Sequence, residues 1–207
     1  MIIYMEQLNS AVSFLKTIQR VFKIKDSIAR SLLSGFLGTL AMDIVNLIFW
    51  RLKRTEALHG HMAGSIFVNP LRTNQRKNFW LGQVTHQFTG AVLAIPFNHL
   101  LKKTGKDHLA LKGAFFGTMT WEVVYGIGQK FGLFTTKPHL TKTHYAELLN
   151  HLVYGITTAH ALVALSDPTT FPDNQSNTSA QNTQTNTVQP IFSGANYNVE
   201  NSGNQVV

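Results

Sequence analysis

The chain has 207 residues, 44% of them apolar, and 18 Lys and Arg against 10 Asp and Glu give it a formal net charge of +8. The absence of cysteine excludes disulfides, thiolate chemistry and Cys-based metal sites. The positive balance does not point to nucleic acid, because every Lys and Arg lies before Thr143 and flanks an apolar run instead of forming a basic stripe.

In chain order, residues 1–26 read as a basic N-terminal segment. Phe14, Leu15, Ile18 and Phe22 share one helical face, with Lys16, Arg20 and Lys23 mostly elsewhere, which predicts an amphipathic helix lying on anionic lipid headgroups. A plain basic juxtamembrane tail is the alternative. Four apolar segments follow within residues 27–166. A helix rises about 1.5 Å per residue, so roughly 20 apolar residues cross a hydrocarbon core of about 30 Å. The first segment is Ser31–Trp50, bounded by Arg30 and Arg51. The connection Arg51–Trp80 is long for a bundle; its middle (ALHGHMAGSIFV) is apolar enough to lie in the interface or re-enter, and His59-x-His61 is a weak metal-binding signal.

The second segment, Leu81–Leu101, is the most polar, and Pro96 predicts a kink in it. The third is Leu109–Gly128, with Lys112 near enough to its end to snorkel. The fourth, Ala146–Leu165, is stopped by Asp167-Pro168. Trp50, Trp80, Tyr125 and Tyr145 fall near predicted ends, as interfacial aromatics do. Gly35-x-x-Gly38, Gly90-x-x-x-Ala94 and Gly113-x-x-x-Gly117 offer small residues for close helix packing. Residues 167–207, rich in Asn, Gln, Ser and Thr, read as a disordered tail. The expected fold is thus all-α, a four-helix transmembrane bundle.

Orientation rests on little. Nine of the 18 Lys and Arg fall on the side holding both termini and the Lys102–Lys112 loop, and nine on the other. The basic N-terminus tips the expectation towards cytoplasmic termini.

Each predicted span carries an ionisable residue: Asp43, His86, Glu122 and His151. Such groups are costly in a bilayer, so each is a functional hypothesis. Because neighbouring spans run antiparallel, all four fall on one side of the midplane, within about one helical turn in depth. Helical phase adds Asn46, Gln87, Tyr125 and Tyr154 as supporting residues, and it leaves His160 out.

Three readings compete for this polar layer. One is a hydrogen-bond clamp between helices. The second is a proton or ion pathway, built from the usual relay groups. The third is a metal site (Zn, Mn or Fe) drawn from His86, His151, Asp43 and Glu122, or a haem held axially by His86 and His151. The corresponding functions are proton- or ion-coupled movement of a small solute, a non-catalytic structural or assembly role, and membrane redox chemistry. No nucleotide loop, nucleophile elbow or metalloprotease motif is present, and Gly126-Ile127-Gly128 lacks its third glycine. A conventional soluble-type enzyme is not expected. The expected partners are the lipid bilayer, its anionic headgroups and a second copy of the chain.

The pattern resembles small, uncharacterised bacterial membrane proteins with four spans. The likeness covers about Ser27 to Ser166 and rests on a Gly-rich first helix carrying Asp (GFLGTLAMD) and on later helices that open with His (THQFTGAVLA, NHLVYGITTA). It implies a bacterial plasma membrane and no particular activity.

Overall fold

The computed structural model describes residues 24–134 and 140–172. The expected amphipathic helix at Ala11–Phe22 and the tail beyond Pro172 lie outside them. Among the described residues the fold is all-helical, with no strand.

Helix α1 spans Ser27–Arg51. The Asp26 carboxylate starts it by accepting from the backbone N–H groups of Ile28 (2.7 Å) and Ala29 (2.8 Å), two of the orphan donors of a first turn. Among the described residues it is the one helix whose length and mean hydropathy together suffice for a membrane crossing. A short helix α2, His59–Gly64, and a single 3₁₀ turn at Pro70–Arg72 occupy the connection. Helix α3, Arg76–Thr104, continues through Pro96 without interruption and stops at Gly105, whose φ of 80° suits glycine. Lys112 Nζ caps the end of α3, donating to the carbonyls of Thr104 (2.8 Å) and Gly105 (3.0 Å).

Helix α4 begins as Leu109–Thr120, widens into π-helical turns at Trp121–Ile127, and closes with an α turn at Gly128–Lys130. Helix α5 spans Thr141–Ala164.

The four long helices are ordered α3–α1–α5–α4 around the bundle. Glycines set the close approaches. A Cβ on Gly35 would strike Ala91 Cα of α3 at 2.8 Å, and one on Gly113 would meet the Gly155 carbonyl of α5 at 2.7 Å. The predicted small-residue motifs therefore do lie at helix interfaces. Between α3 and α4 the backbones barely approach; Phe97 and Phe116 bridge the gap with stacked rings 4.1 Å apart. That contact lies at the end of the bundle holding Ile24, whose N–H donates to the Leu165 carbonyl (3.0 Å), and Lys106, whose N–H donates to Pro172 (3.0 Å). Asp167–Pro172, assigned by composition to the tail, belongs to the folded body: Phe171 is buried against Phe97, Leu101 and Leu162.

The interior is unusually polar. Beside Phe97, Met42, Leu101 and Leu162, the largest fully buried side chains include Glu147, Asn46, Asn98 and Asn150. Large apolar residues face outward on the long helices, among them Phe36 and Ile44 on α1, Phe88 (67% exposed) on α3 and Phe115 (63%) on α4.

Candidate metal centre

The connection after α1 is not a surface loop. Helix α2 packs on α3 through glycine: a Cβ on Gly82 would meet Gly64 Cα at 2.7 Å. His61 lies against Phe79, ring centroids 4.8 Å apart. This packing carries His59 into the bundle, where it is 3% exposed.

There the imidazole bridges two carboxylates. His59 Nδ1 lies 2.7 Å from Asp43 Oδ1, and His59 Nε2 lies 3.0 Å from Glu147 Oε2. His86 stacks on His59 (centroids 4.3 Å, planes 27° apart), and its Nε2 lies 3.3 Å from the same Asp43 Oδ1. Asp43, His59 and His86 each present one donor atom, all within 4.8 Å of one another. Zinc or iron binds such atoms at about 2.0–2.2 Å, which sets neighbouring donors roughly 3 Å apart. The Asp43–His59 and Asp43–His86 separations, 2.7 and 3.3 Å, fall at that spacing.

A second layer holds the donors in place. The Asp43 Oδ2 accepts from the amides of Gln83 and Gln87, the latter at 2.6 Å. Glu147, fully buried, accepts from Asn46 Nδ2 (3.3 Å) and Asn150 Nδ2 (3.4 Å) as well as facing His59. Asn46 Oδ1 in turn accepts from the His59 backbone N–H (3.3 Å). His59 is thus oriented by a carboxylate behind the nitrogen that would not meet a metal, the usual support of a ligating imidazole.

The residues singled out from sequence separate. Asp43 and His86 meet directly, and Asn46 and Gln87 bond to the cluster. His151 is near it: its Nδ1–H donates to the Glu147 carbonyl (2.8 Å), and its side chain lines the cavity beside His59 and His86. Tyr125, predicted near a span end, is buried and lines the same cavity. Tyr154 donates to the Gly90 carbonyl (2.7 Å), tying α5 to α3.

Glu122 does not join. It is exposed on α4, with its carboxylate folded over Gly126 of its own helix. The face of α4 that is buried is Gly113, Gly117, Thr120 and Tyr125, not the Ala114–Thr118–Glu122 stripe. The five-residue step from Thr120 to Tyr125 is what π-helical turns produce. His59 and Glu147 are the cluster members that the sequence-derived layer omits. His59 stands in the flagged His-x-His pair, and Glu147 lies on the stripe of His151, one residue inside the predicted span.

A family model described as a family of unknown function (DUF6789) matches residues 25–173. The chain belongs to that family. No curated protein and no solved structure matches it. The family region takes in the five described helices and ends where the described body ends, with the whole cluster inside it.

Proposed function

We propose that this DUF6789 member is a four-span membrane protein whose bundle holds a divalent transition metal, zinc or ferrous iron, on Asp43, His59 and His86. The observation that carries the reading is the triangle of three donor atoms, backed by Glu147 on one histidine and by two glutamines on the carboxylate. Two imidazoles and one carboxylate make the donor set of catalytic zinc and of mononuclear iron centres, and they leave coordination positions open. Charge balance agrees. Asp43 and Glu147 place two carboxylates on His59, and a divalent cation held by neutral imidazoles would bring that cluster to neutrality. An ion there would polarise an oxygen ligand or acidify a bound water. A haem fits less well, since His86 Nε2 is turned to Asp43 and not to His151.

The membrane part is supported by the reversed distribution of side chains, amides and a carboxylate inside and large apolar groups outside, which suits lipid and not water. Hydropathy averages understate α3, because Gln83, His86, Gln87 and Asn98 are turned inward. They understate α4 because its π-helical turns interrupt the α-helix after 12 residues. The proposal includes a bacterial plasma membrane and cytoplasmic termini, on the basic N-terminal segment and the four-span resemblance.

One feature favours a second reading, proton-coupled movement of a small solute. Asp43, His59 and Glu147 form a continuous hydrogen-bonded chain from α1 to α5, a path a proton can follow.

Metal analysis of detergent-purified protein separates the two. About one equivalent of zinc, iron or added cobalt per chain is expected, lost in Asp43→Asn, His59→Ala and His86→Ala and kept in Glu122→Gln. A folded wild-type protein that takes up none of these ions ends the metal reading and leaves the relay.

A further inference from the structure

Two residues of the cluster, His59 and His86, line a cavity of about 90 Å³ that opens to the surface on one side. Its inner end is polar (His59, His86, Glu147, His151) and its remaining walls are largely apolar, with Met62, Ala63, Val124 and Phe134 among them. Ile66, Thr85, Thr89 and Val124, which also line it, are themselves partly exposed, so the mouth lies on the α3–α4 side. That is where the backbones of the two helices fail to close, their ring contact at Phe97 and Phe116 being nearer the end that holds Ile24 and Pro172. A second cavity continues the slot along Thr39, Met42, Leu93 and Thr120, with His86 and His151 in the walls of both. The helix faces beside the slot present Val84 and Phe88 on α3 and Val123 and Ile127 on α4, all exposed.

From this geometry we infer that the metal's open face receives a lipid-soluble amphipath, an alkyl chain ending in an oxygen-bearing head group, which enters sideways between α3 and α4. The inference rests on the metal reading above. The polar end supplies a place for a head group to ligate the ion, and His151, whose Nδ1 carries its proton towards Glu147, keeps an Nε2 lone pair able to accept from it. The apolar walls reward the chain, each buried methylene strengthening binding about fourfold. A small hydrophilic solute would gain nothing from those walls, and its approach would cross the exposed apolar faces.

Cobalt-loaded protein and two hydroxamates test this. Acetohydroxamate and octanohydroxamate present the same metal-binding head group and differ only in the chain. Titrations followed by the visible cobalt bands are expected to give at least tenfold tighter binding of octanohydroxamate. That ratio is expected to fall towards one in Thr89→Trp and in Val124→Trp, which crowd opposite rims of the slot. Retained cobalt bands show that each variant is folded, and two variants guard against the failure of one. Equal affinity for the two probes in the wild type overturns the proposal, as does a ratio unchanged in both tryptophan variants. Partition into the detergent cannot imitate the expected result, because it is the same for every variant. Failure of cobalt to load at all appears before any hydroxamate is added, and it overturns the metal reading itself.

Discussion

His59 is gripped at both ring nitrogens, by Asp43 at 2.7 Å and Glu147 at 3.0 Å, and the two grips have different consequences for an ion. Asp43 would be a ligand and Glu147 an orienting group that raises the basicity of the ring. Glu147→Gln keeps shape and hydrogen bonding but loses the charge, so it is expected to weaken cobalt or zinc affinity 10- to 100-fold without abolishing it. Asp43→Asn is expected to do worse. A competition titration against a chelator of known affinity measures both, and a Glu147→Gln affinity equal to wild type removes the orienting role. At this scale the sequence was half legible. Asp43, His86 and His151 announce themselves as ionisable residues inside apolar runs. Glu122 does so equally well, yet helical phase turns it outward, because the Gly113–Gly117 face and not the polar face meets α5. His59 stands out only as half of a His-x-His pair in a connection apolar enough to re-enter, and nothing in residues 51–80 states that it meets Asp43 and Glu147.

Helix interfaces were more readable, because glycine spacing carries its own geometry. Gly155 faces Gly113 and Gly117 so closely that an added Cβ would meet backbone, which cannot rotate away; the Gly117 N lies 2.7 Å from its position. Gly155→Ala is therefore expected to destabilise the bundle by about 1–3 kcal/mol, the usual cost of overpacking, read from unfolding in a mixed detergent titration. Ala159, on the same helix, is already buried against Phe97 and gives a reference for a tolerated methyl. Helix ends make a separate prediction. The Asp26 carboxylate is held below its ordinary pKa by the N–H groups of Ala29 and Ile28. A lowered folded-state value means that this cap stabilises α1 above the unfolded value near 3.8 and fades as pH falls through the lower one. Asp26→Asn is expected to keep most of the cap and to remove that pH dependence, and Asp26→Ala to lower the melting temperature at pH 7. Identical melting at pH 7 for all three proteins would show that the cap is idle. The π-helical turns of α4 left no such trace, since no residue type in Trp121–Ile127 demands a wider turn.

On the scale of the whole molecule, the sequence conveyed an all-helical body with four long helices and missed what lies between them. Apolar runs reveal length, but the ring order α3–α1–α5–α4 and the unclosed slot depend on which faces match, information that hydropathy does not hold. The four-span reading makes two demands that a soluble bundle does not. Its two ends must face different compartments, and its apolar flanks must be hidden from water. Absence of cysteine makes this directly testable, since any introduced thiol is unique. Leu71→Cys, at a site 88% exposed in the long connection, reports one end, and Lys103→Cys beside the α3 terminus reports the other. Phe88→Cys and Phe115→Cys report the flanks. In sealed vesicles of one orientation, a membrane-impermeant maleimide is expected to label only one of the two end positions until the membrane is permeabilised. The flank positions are expected to react with it at under about a tenth of the exposed-end rate, because a thiol in hydrocarbon does not ionise to the reactive thiolate. Labelling of both ends from the same side would refute the bundle's crossing. Rapid aqueous labelling of Phe88→Cys and Phe115→Cys in membranes would instead return the apolar faces to water, leaving the metal cluster to be explained in a soluble helical protein.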